Sequence, residues 1–404
     1  MNNNKLAKQL CVPLALAAAV AAASQTASAE IVLYDQDDTT FSTDGYINAF
    51  YVNSKVNRAG DNFDRRQSRV KMGFLPNYIG FNMGKQSGDL TLGARASFWV
   101  TINDSDDNGT GTDIDVRQFY GTVGSDWGEV LIGKDFGLFA RSNIFLDELL
   151  TSYGQVSDTL GLVDGAGVSF GNIGTGYPYA FPNAQITYRS PVMNGFRIAV
   201  GIMDPSDTTS RKDAAGNDLG KSYQKNPRFE TEVTYQLDVG DTKIYSWING
   251  MHQTSNNTDR STIAGDDQSS KLRSKGVGYG VQVKHGGASL TASGFKAKGI
   301  HALFTNNPGK ANLRDMDSRG YLLQGSYTFG ANRVALSHGR TRDDGNVVGV
   351  AANYKTRGAA YFRTINDNLT LVAEYNRFDI DGRKGNRAVD EKTKTMALGA
   401  VLTW

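Results

Sequence analysis

Cysteine is nearly missing from this 404-residue chain: Cys11 is the single one, so no intramolecular disulfide can form. Proline is scarce, at 8 residues, which excludes a collagen-like chain. Neither sign of charge is in surplus, with 43 Lys plus Arg against 41 Asp plus Glu, so the basic footprint of a nucleic-acid binder is absent. Long apolar runs are missing too. Beyond the first thirty residues none approaches the ~18–20 residues that a membrane-spanning helix needs. What is plentiful is aliphatic and aromatic material, 39% hydrophobic and 10% aromatic, too much for a disordered chain. A β-rich protein remains, either soluble or seated in a membrane as a barrel.

The first thirty residues read as an address. A polar stretch with Lys5 and Lys8 leads into an apolar run from Val12 to Ala23, and Ala27-Ser28-Ala29 makes a small-residue cleavage site before Glu30. That order is expected of a secretory signal peptide at 1–29, with one barrel domain at 30–404. Cys11 precedes the apolar run, the wrong place for lipid attachment. Cleavage removes both lysines and the cysteine, leaving 41 basic and 41 acidic residues. An exported chain without disulfides needs another source of stability, and a sheet closed on itself is one.

The remaining chain alternates with period two, as strands with unlike faces do. Phe196, Ile198, Val200 and Ile202 oppose Arg197, Ala199 and Gly201. Phe229, Val233, Tyr235 and Leu237 oppose Arg228, Glu230, Glu232, Thr234 and Gln236. The same pattern sets Tyr321, Leu323, Tyr327 and Phe329 against Leu322, Gln324, Ser326 and Thr328. At the C-terminus Met396, Leu398, Ala400, Leu402 and Trp404 form the apolar face. No comparable run has helical spacing.

Short and long breaks alternate between the strands. The short ones carry turn chemistry: 86–88, 124–127, 191–194, 238–241, 286–287, 330–331 and 366–368. The long polar ones are 54–73, 103–113, 136–182, 204–226, 253–274, 299–317, 342–356 and 380–392. This rhythm predicts an all-β fold, a transmembrane antiparallel up-and-down barrel of sixteen strands. Export, strands of about ten residues, and aromatics near strand ends (Tyr321, Tyr327, Phe329, Tyr375, Phe378) favour a barrel in lipid over a soluble sandwich. In hydrocarbon no backbone group can stay unpaired, so a β solution must close. Sixteen strands enclose a water-filled channel unless something plugs it.

One loop is out of proportion. Residues 136–182 carry Asp147, Glu148, Asp158 and Asp164 among glycines and aromatics, and structureless loops of that length are usually functional. Folded inward, the loop would narrow the lumen and set carboxylates opposite Arg95, Arg117, Arg189 and Arg197, which share the polar parity of their strands. Facing rings of opposite charge tune ion preference at a constriction.

The stretch Val116-Arg117-Gln118-Phe119-Tyr120-Gly121, the run Gly128-Glu129-Val130-Leu131-Ile132-Gly133-Lys134, the long loop after it, Thr187-Tyr188-Arg189 and the aromatic C-terminus resemble the general porins of Gram-negative bacteria. The resemblance implies a trimeric sixteen-stranded barrel of the cell outer membrane, its third loop folded into the lumen, passing small hydrophilic solutes and ions by passive diffusion. It also implies contact with outer-membrane lipid and lipopolysaccharide, no nucleic acid, no cofactor, no metal and no enzymatic activity. By the same resemblance Arg117 and Arg189 match constriction arginines. Tyr78 stands where such chains often carry a third arginine, and the third loop lacks a Pro-Glu-Phe-Gly-Gly segment. Tyr78, Trp99 and Phe119, on or near the lumen parity, leave open a porin specific for an oligosaccharide or organic anion.

Other signals carry less. Asp104-Ser105-Asp106-Asp107-Asn108-Gly109 opens like a calcium loop, but the closing Glu is missing and strands flank it. His252, His285, His301 and His338 are the four histidines. Ser337 and His338 point to opposite faces of a strand, a poor start for a hydrolase. Gly276, Gly278 and Gly280 lie within a strand and precede no helix, so they make no phosphate cradle.

Overall fold

The computed structural model describes residues 30–59, 64–104, 114–205, 210–212, 218–257, 271–303, 316–344, 351–382 and 390–404. The N-terminal half holds β1 (Ile31–Gln36), β2 (Thr39–Arg58), β3 (Arg65–Lys71), β4 (Asn77–Ser87), β5 (Leu90–Val100), β6 (Asp115–Ser125), β7 (Gly128–Phe136), one helical turn α1 (Arg141–Phe145), β8 (Pro182–Arg189) and β9 (Phe196–Met203). After these come the short β10 (Ser210–Lys212) and β11 (Asp218–Tyr223), then β12 (Arg228–Val239), β13 (Thr242–Asn257), β14 (Lys271–His285) and β15 (Ala288–Lys298). The chain ends with β16 (Asp317–Phe329), β17 (Asn332–Asp343), β18 (Ala352–Asn366), β19 (Leu369–Gly382) and β20 (Asp390–Thr403).

Neighbouring strands pair antiparallel, and β2 pairs with β20 from Tyr46 opposite Thr403 to Arg58 opposite Glu391, which closes the ring. β3 and β4 both pair with β2, on the edge away from β20, and act as one strand interrupted at 72–76. The ring therefore has sixteen staves. β1 was not foreseen. It turns back on β2 through Asp37 and Asp38, both at positive φ (52° and 54°), a conformation aspartate tolerates. It continues the edge where β20 ends: Gly45 and Trp404 exchange backbone hydrogen bonds, and Ile31 lies opposite Thr43.

The two faces divide as the alternation predicts. Phe196, Ile198, Val200 and Ile202 are exposed, as are Phe229, Leu336, Met396 and Leu398, while Glu230, Glu232, Asn249 and Gln324 are buried. A ring whose exposed side is aliphatic and whose covered side is polar is built for an apolar solvent outside. Two-residue turns Gly240-Asp241, Gly286-Gly287 and Gly330-Ala331 open on glycines at φ 56°, 54° and 55°, which twisted hairpins require.

Three expectations need correction. Strands run further than the loops at 54–73, 342–356 and 380–392 allowed, because pairing persists after the polar-apolar alternation fades. Phe378 is buried with Ala352 and Ile380, away from any outer aromatic girdle; it has the opposite parity to Tyr375. Phe119 is exposed on the outer face, because β6 carries a bulge at Arg117: Ser97 pairs with Gln118 but Phe98 with Val116. The extra residue shifts the parity beyond it.

Buried apolar side chains concentrate around residues 136–182. Leu149, Tyr153, Val156, Leu162 and Val163 pack with Phe50, Phe362 and Val372. Ala140, Ile144, Leu150, Ile173 and Tyr177 pack with Phe74, Leu303 and Leu322.

Candidate functional site

Two patches of the covered face are rich in charge. On the first, Arg95 of β5 donates to both carboxylate oxygens of Asp44 on β2 (2.7 and 3.0 Å), to Asn82 of β4 (2.6 Å) and to Gln118 of β6 (2.9 Å). Gln118 donates onward to Asp135 of β7 (2.9 Å). Asp135 in turn meets Arg141 (3.2 Å) and Arg189 (3.4 Å), and Arg189 also bonds Glu129 (2.9 Å), its direct cross-strand partner. One ladder thus joins six adjacent staves with three arginines and three carboxylates, a locally neutral set.

Arg117 stands beside this ladder. Both Arg117 and Gln118 are covered because the bulge re-aims one of them. Arg117 donates to Asp115 (2.7 Å) and to the Tyr179 hydroxyl (3.1 Å), and lies 5.0 Å from the Trp99 ring. Aromatic rings continue from there: Tyr46 and Tyr78 stack (centroids 6.1 Å apart), Tyr78 and Trp99 stack (4.5 Å), and Trp99 meets Phe136 edge-on (6.1 Å). Phe136 then touches Phe145 (5.2 Å) and Tyr179 (6.3 Å), while Arg95 and Arg141 sit over Tyr78 and Phe145.

The second patch holds residues 136–182 by their backbone. Glu230 accepts the amides of Leu138 (2.6 Å) and Phe139 (2.9 Å), and Asn249 accepts that of Ala140. Glu232 accepts both the amide and hydroxyl of Ser142. Glu374 accepts the amides of Tyr153 (2.7 Å) and Gly154 (2.9 Å), and Glu391 those of Asp158 and Thr159 (2.8 Å each). A segment with little regular structure cannot satisfy its own amides, so fixed carboxylates supply the acceptors. Small residues admit it closely: a side chain at Gly339 would collide with the Thr175 carbonyl, and one at Gly276 with the Phe139 ring. Gly278 and Gly280 likewise leave room for Asn249 and Trp247.

The acidic residues of the segment bond elsewhere than to Arg95, Arg117 and Arg189. Asp158 meets Arg58 (2.9 Å) and Arg65 (2.6 Å), and Asp164 also meets Arg65. Burial pushes the Asp158 carboxyl up, but the two guanidiniums outweigh it and hold the carboxyl below its usual range. Glu148 meets Arg333 (3.2 Å), Ser326 (2.9 Å), Ser289, Thr291 and Gln282. Asp147 accepts from Tyr177, Asn172, Gln324 and the Leu149 amide; its complete burial still leaves the carboxyl above its usual range. Toward the short turns, Glu148, Lys284, Thr328, Asn332, Arg333 and Thr364 line an open recess.

Sequence reasoning expected the wall arginines to face acids of the long loop. Arg95 and Arg189 face Asp44, Glu129 and Asp135 instead, which neighbouring strands bring nearer, and Arg117 bonds Asp115 and Tyr179. The partners Asp44, Asn82, Gln118, Glu129 and Asp135 were missed, although Glu129 and Asp135 share the covered parity of β7. Residues 105–113 of the calcium-like stretch and the signal segment at 1–29 lie outside the described residues. Among the described residues no cluster of three or more His, Cys, Asp or Glu could hold a metal ion.

Comparison with known proteins follows the same lines. A family model described as Gram-negative porin matches residues 15–383. The outer membrane channel DcaP of Acinetobacter baumannii superposes with a TM-score of 0.64 at 12% identity, over 93% of this chain and 100% of that one. An anion-selective porin from Comamonas acidovorans gives 0.60 at 14%, over 91% and 100%. Salmonella typhi OmpF, solved with daunomycin, gives 0.56 at 13%, over 93% and 100%. No curated protein sequence matches. At these identities the likeness establishes the fold.

Proposed function

The chain belongs to the Gram-negative porin family, a barrel of the outer membrane, and from that premise we propose that it is a water-filled channel narrowed by residues 136–182. Small hydrophilic solutes and ions pass by diffusion, the short turns face the periplasm, and the long loops face outward. The observation that carries this reading is the spread of the segment's partners. They lie on β2, β3, β12, β13, β16, β17, β19 and β20, a set that a path across the inside of the ring reaches together. The account includes a homotrimer and no catalytic role. At the narrowing, Arg95, Arg117 and Arg189 stand with Tyr78 on one side, and the segment carrying Asp147, Glu148, Asp158 and Asp164 on the other. Since wall acids already neutralise Arg95 and Arg189, ion selectivity is weak.

Planar bilayers test this. The purified protein should give stepwise conductance that scales with bulk electrolyte and a reversal potential near zero in a salt gradient. Failure to conduct would instead favour a surface-binding barrel. A second reading rests on the aromatic run from Tyr46 to Phe145 with arginines laid over its rings, a surface suited to an organic anion. It predicts that an aromatic carboxylate blocks the current at millimolar concentration while glucose does not.

A further inference from the structure

Arg117 differs from Arg95 and Arg189 in what holds it. Their acids are covered: side-chain exposure is 12% for Asp44, 5% for Glu129 and 1% for Asp135. Asp115, the carboxylate on Arg117, is 54% exposed. Water screens an exposed ion pair, so Asp115 holds Arg117 less firmly than the covered acids hold the other two. The second polar partner of Arg117 is the Tyr179 hydroxyl (3.1 Å), which comes from residues 136–182. The segment thus reaches this arginine with a neutral phenol, which fixes the guanidinium without cancelling its charge.

Tyr179 is itself held by a second loop. Its amide donates to the Leu303 carbonyl (2.7 Å), and Phe136 and Phe181 meet its ring edge-on (6.3 and 5.6 Å). Residues 300–303 follow β15 and open a long polar break, yet Ile300, Ala302 and Leu303 are buried. Gly299 turns the chain at φ 66°, its amide on the Met316 carbonyl and its own carbonyl on the Ser274 hydroxyl. Ile300 then packs with Phe139, near the start of the long segment. Leu303 packs with Ile173 and Tyr177, near its end, and a side chain at Gly174 would collide with it. These few residues therefore clasp both arms of the segment. Counted from β2, with β3 and β4 as one stave and β10 and β11 left out, β6 is the fourth stave and β15 the eleventh. They stand across the ring from each other, joined through Leu303, Tyr179 and Arg117.

We propose that Tyr179 is a positioning residue for Arg117 and that residues 300–303 are the brace that holds it, so that a second loop sets ion preference at the narrowing. Without the phenol, Arg117 keeps Asp115 and the Trp99 ring, both at the long-loop ends of their strands. The guanidinium then moves toward Asp115 and out of the narrowing, and the channel passes cations more readily. The proposal deepens the channel reading and rests on it.

The test is a double-mutant cycle on the full protein in planar bilayers, reading the reversal potential in a potassium chloride gradient. R117Q should shift it toward cations. Y179F, which deletes only the hydroxyl, should shift it the same way by less, and should add nothing to R117Q. L303A should move it as Y179F does, and should also open residues 136–182 to limited proteolysis that Y179F still resists. A wild-type potential in Y179F, or a Y179F shift undiminished in R117Q, would overturn the positioning role. A wild-type potential in L303A would overturn the brace. Phenylglyoxal labelling of Arg117, read by mass spectrometry, asks the same question without a current. Y179F and L303A should both label faster, and wild-type rates in both would overturn the proposal. Faster labelling in a protein that never conducts would defeat the channel reading alone.

Discussion

Arg189 and Glu129 occupy directly opposed positions on β8 and β7, and Asp135 approaches the same guanidinium. Arg189→Gln leaves two covered carboxylates short of a cation, so the reversal potential in a potassium chloride gradient should move toward cation selectivity. An unchanged potential would remove the ladder from any part in selectivity. Asp158 makes a second residue-scale prediction. Its carboxyl is held below its usual range when folded, so the stability it adds is present above the unfolded value of about 3.9 and lost as pH falls through the folded value. Protection of residues 136–182 from an acid-tolerant protease should hold at pH 5 and be lost progressively once the pH falls below the unfolded carboxyl value of about 3.9. In Asp158→Asn that acid step should be weakened, with lower protection already present at pH 5.

Within single elements the alternation was legible because each stave meets two unlike media: Phe196 to Ile202 and Met396 to Leu402 point outward as their spacing required. The bulge at Arg117 was not legible, since one extra residue in β6 shows only against β5, and it turned Phe119 outward. The bounds of the long segment, Phe136 and Pro182, were plain in the sequence; its partners were not. Glu230 and Glu232 sit on the expected polar parity, whereas Glu391 fell in the stretch 380–392 that the sequence read as a loop and Glu374 carried no assignment; what all four accept depends on which staves the segment crosses. That attachment can be broken from either side. Glu374→Ala orphans the amides of Tyr153 and Gly154, at about 1–3 kcal/mol each. Gly339→Val drives a side chain into the Thr175 carbonyl, an overpacking cost of roughly 1–3 kcal/mol. Both variants should still form heat-resistant barrels, and both should expose the segment to limited proteolysis that wild type resists. Equal resistance in all three would mean that these contacts do not hold it.

For the whole molecule, the sixteen-stave ring closes through β2 and β20 without a disulfide. Residues 136–182 are fastened by carboxylates and arginines of β2, β3, β12, β17, β19 and β20, while a neutral ladder lines the arc from β2 to β8. Removal of the segment should therefore leave the wall standing and change what passes through it. The decisive measurement is the single-channel conductance of wild type beside a Glu374→Ala/Glu391→Ala double variant in planar bilayers. The account predicts regular ohmic steps from wild type and steps of altered size or added noise from the variant. A wild type that never conducts, or a variant whose steps match it in size and quietness, would contradict a hollow barrel narrowed by residues 136–182.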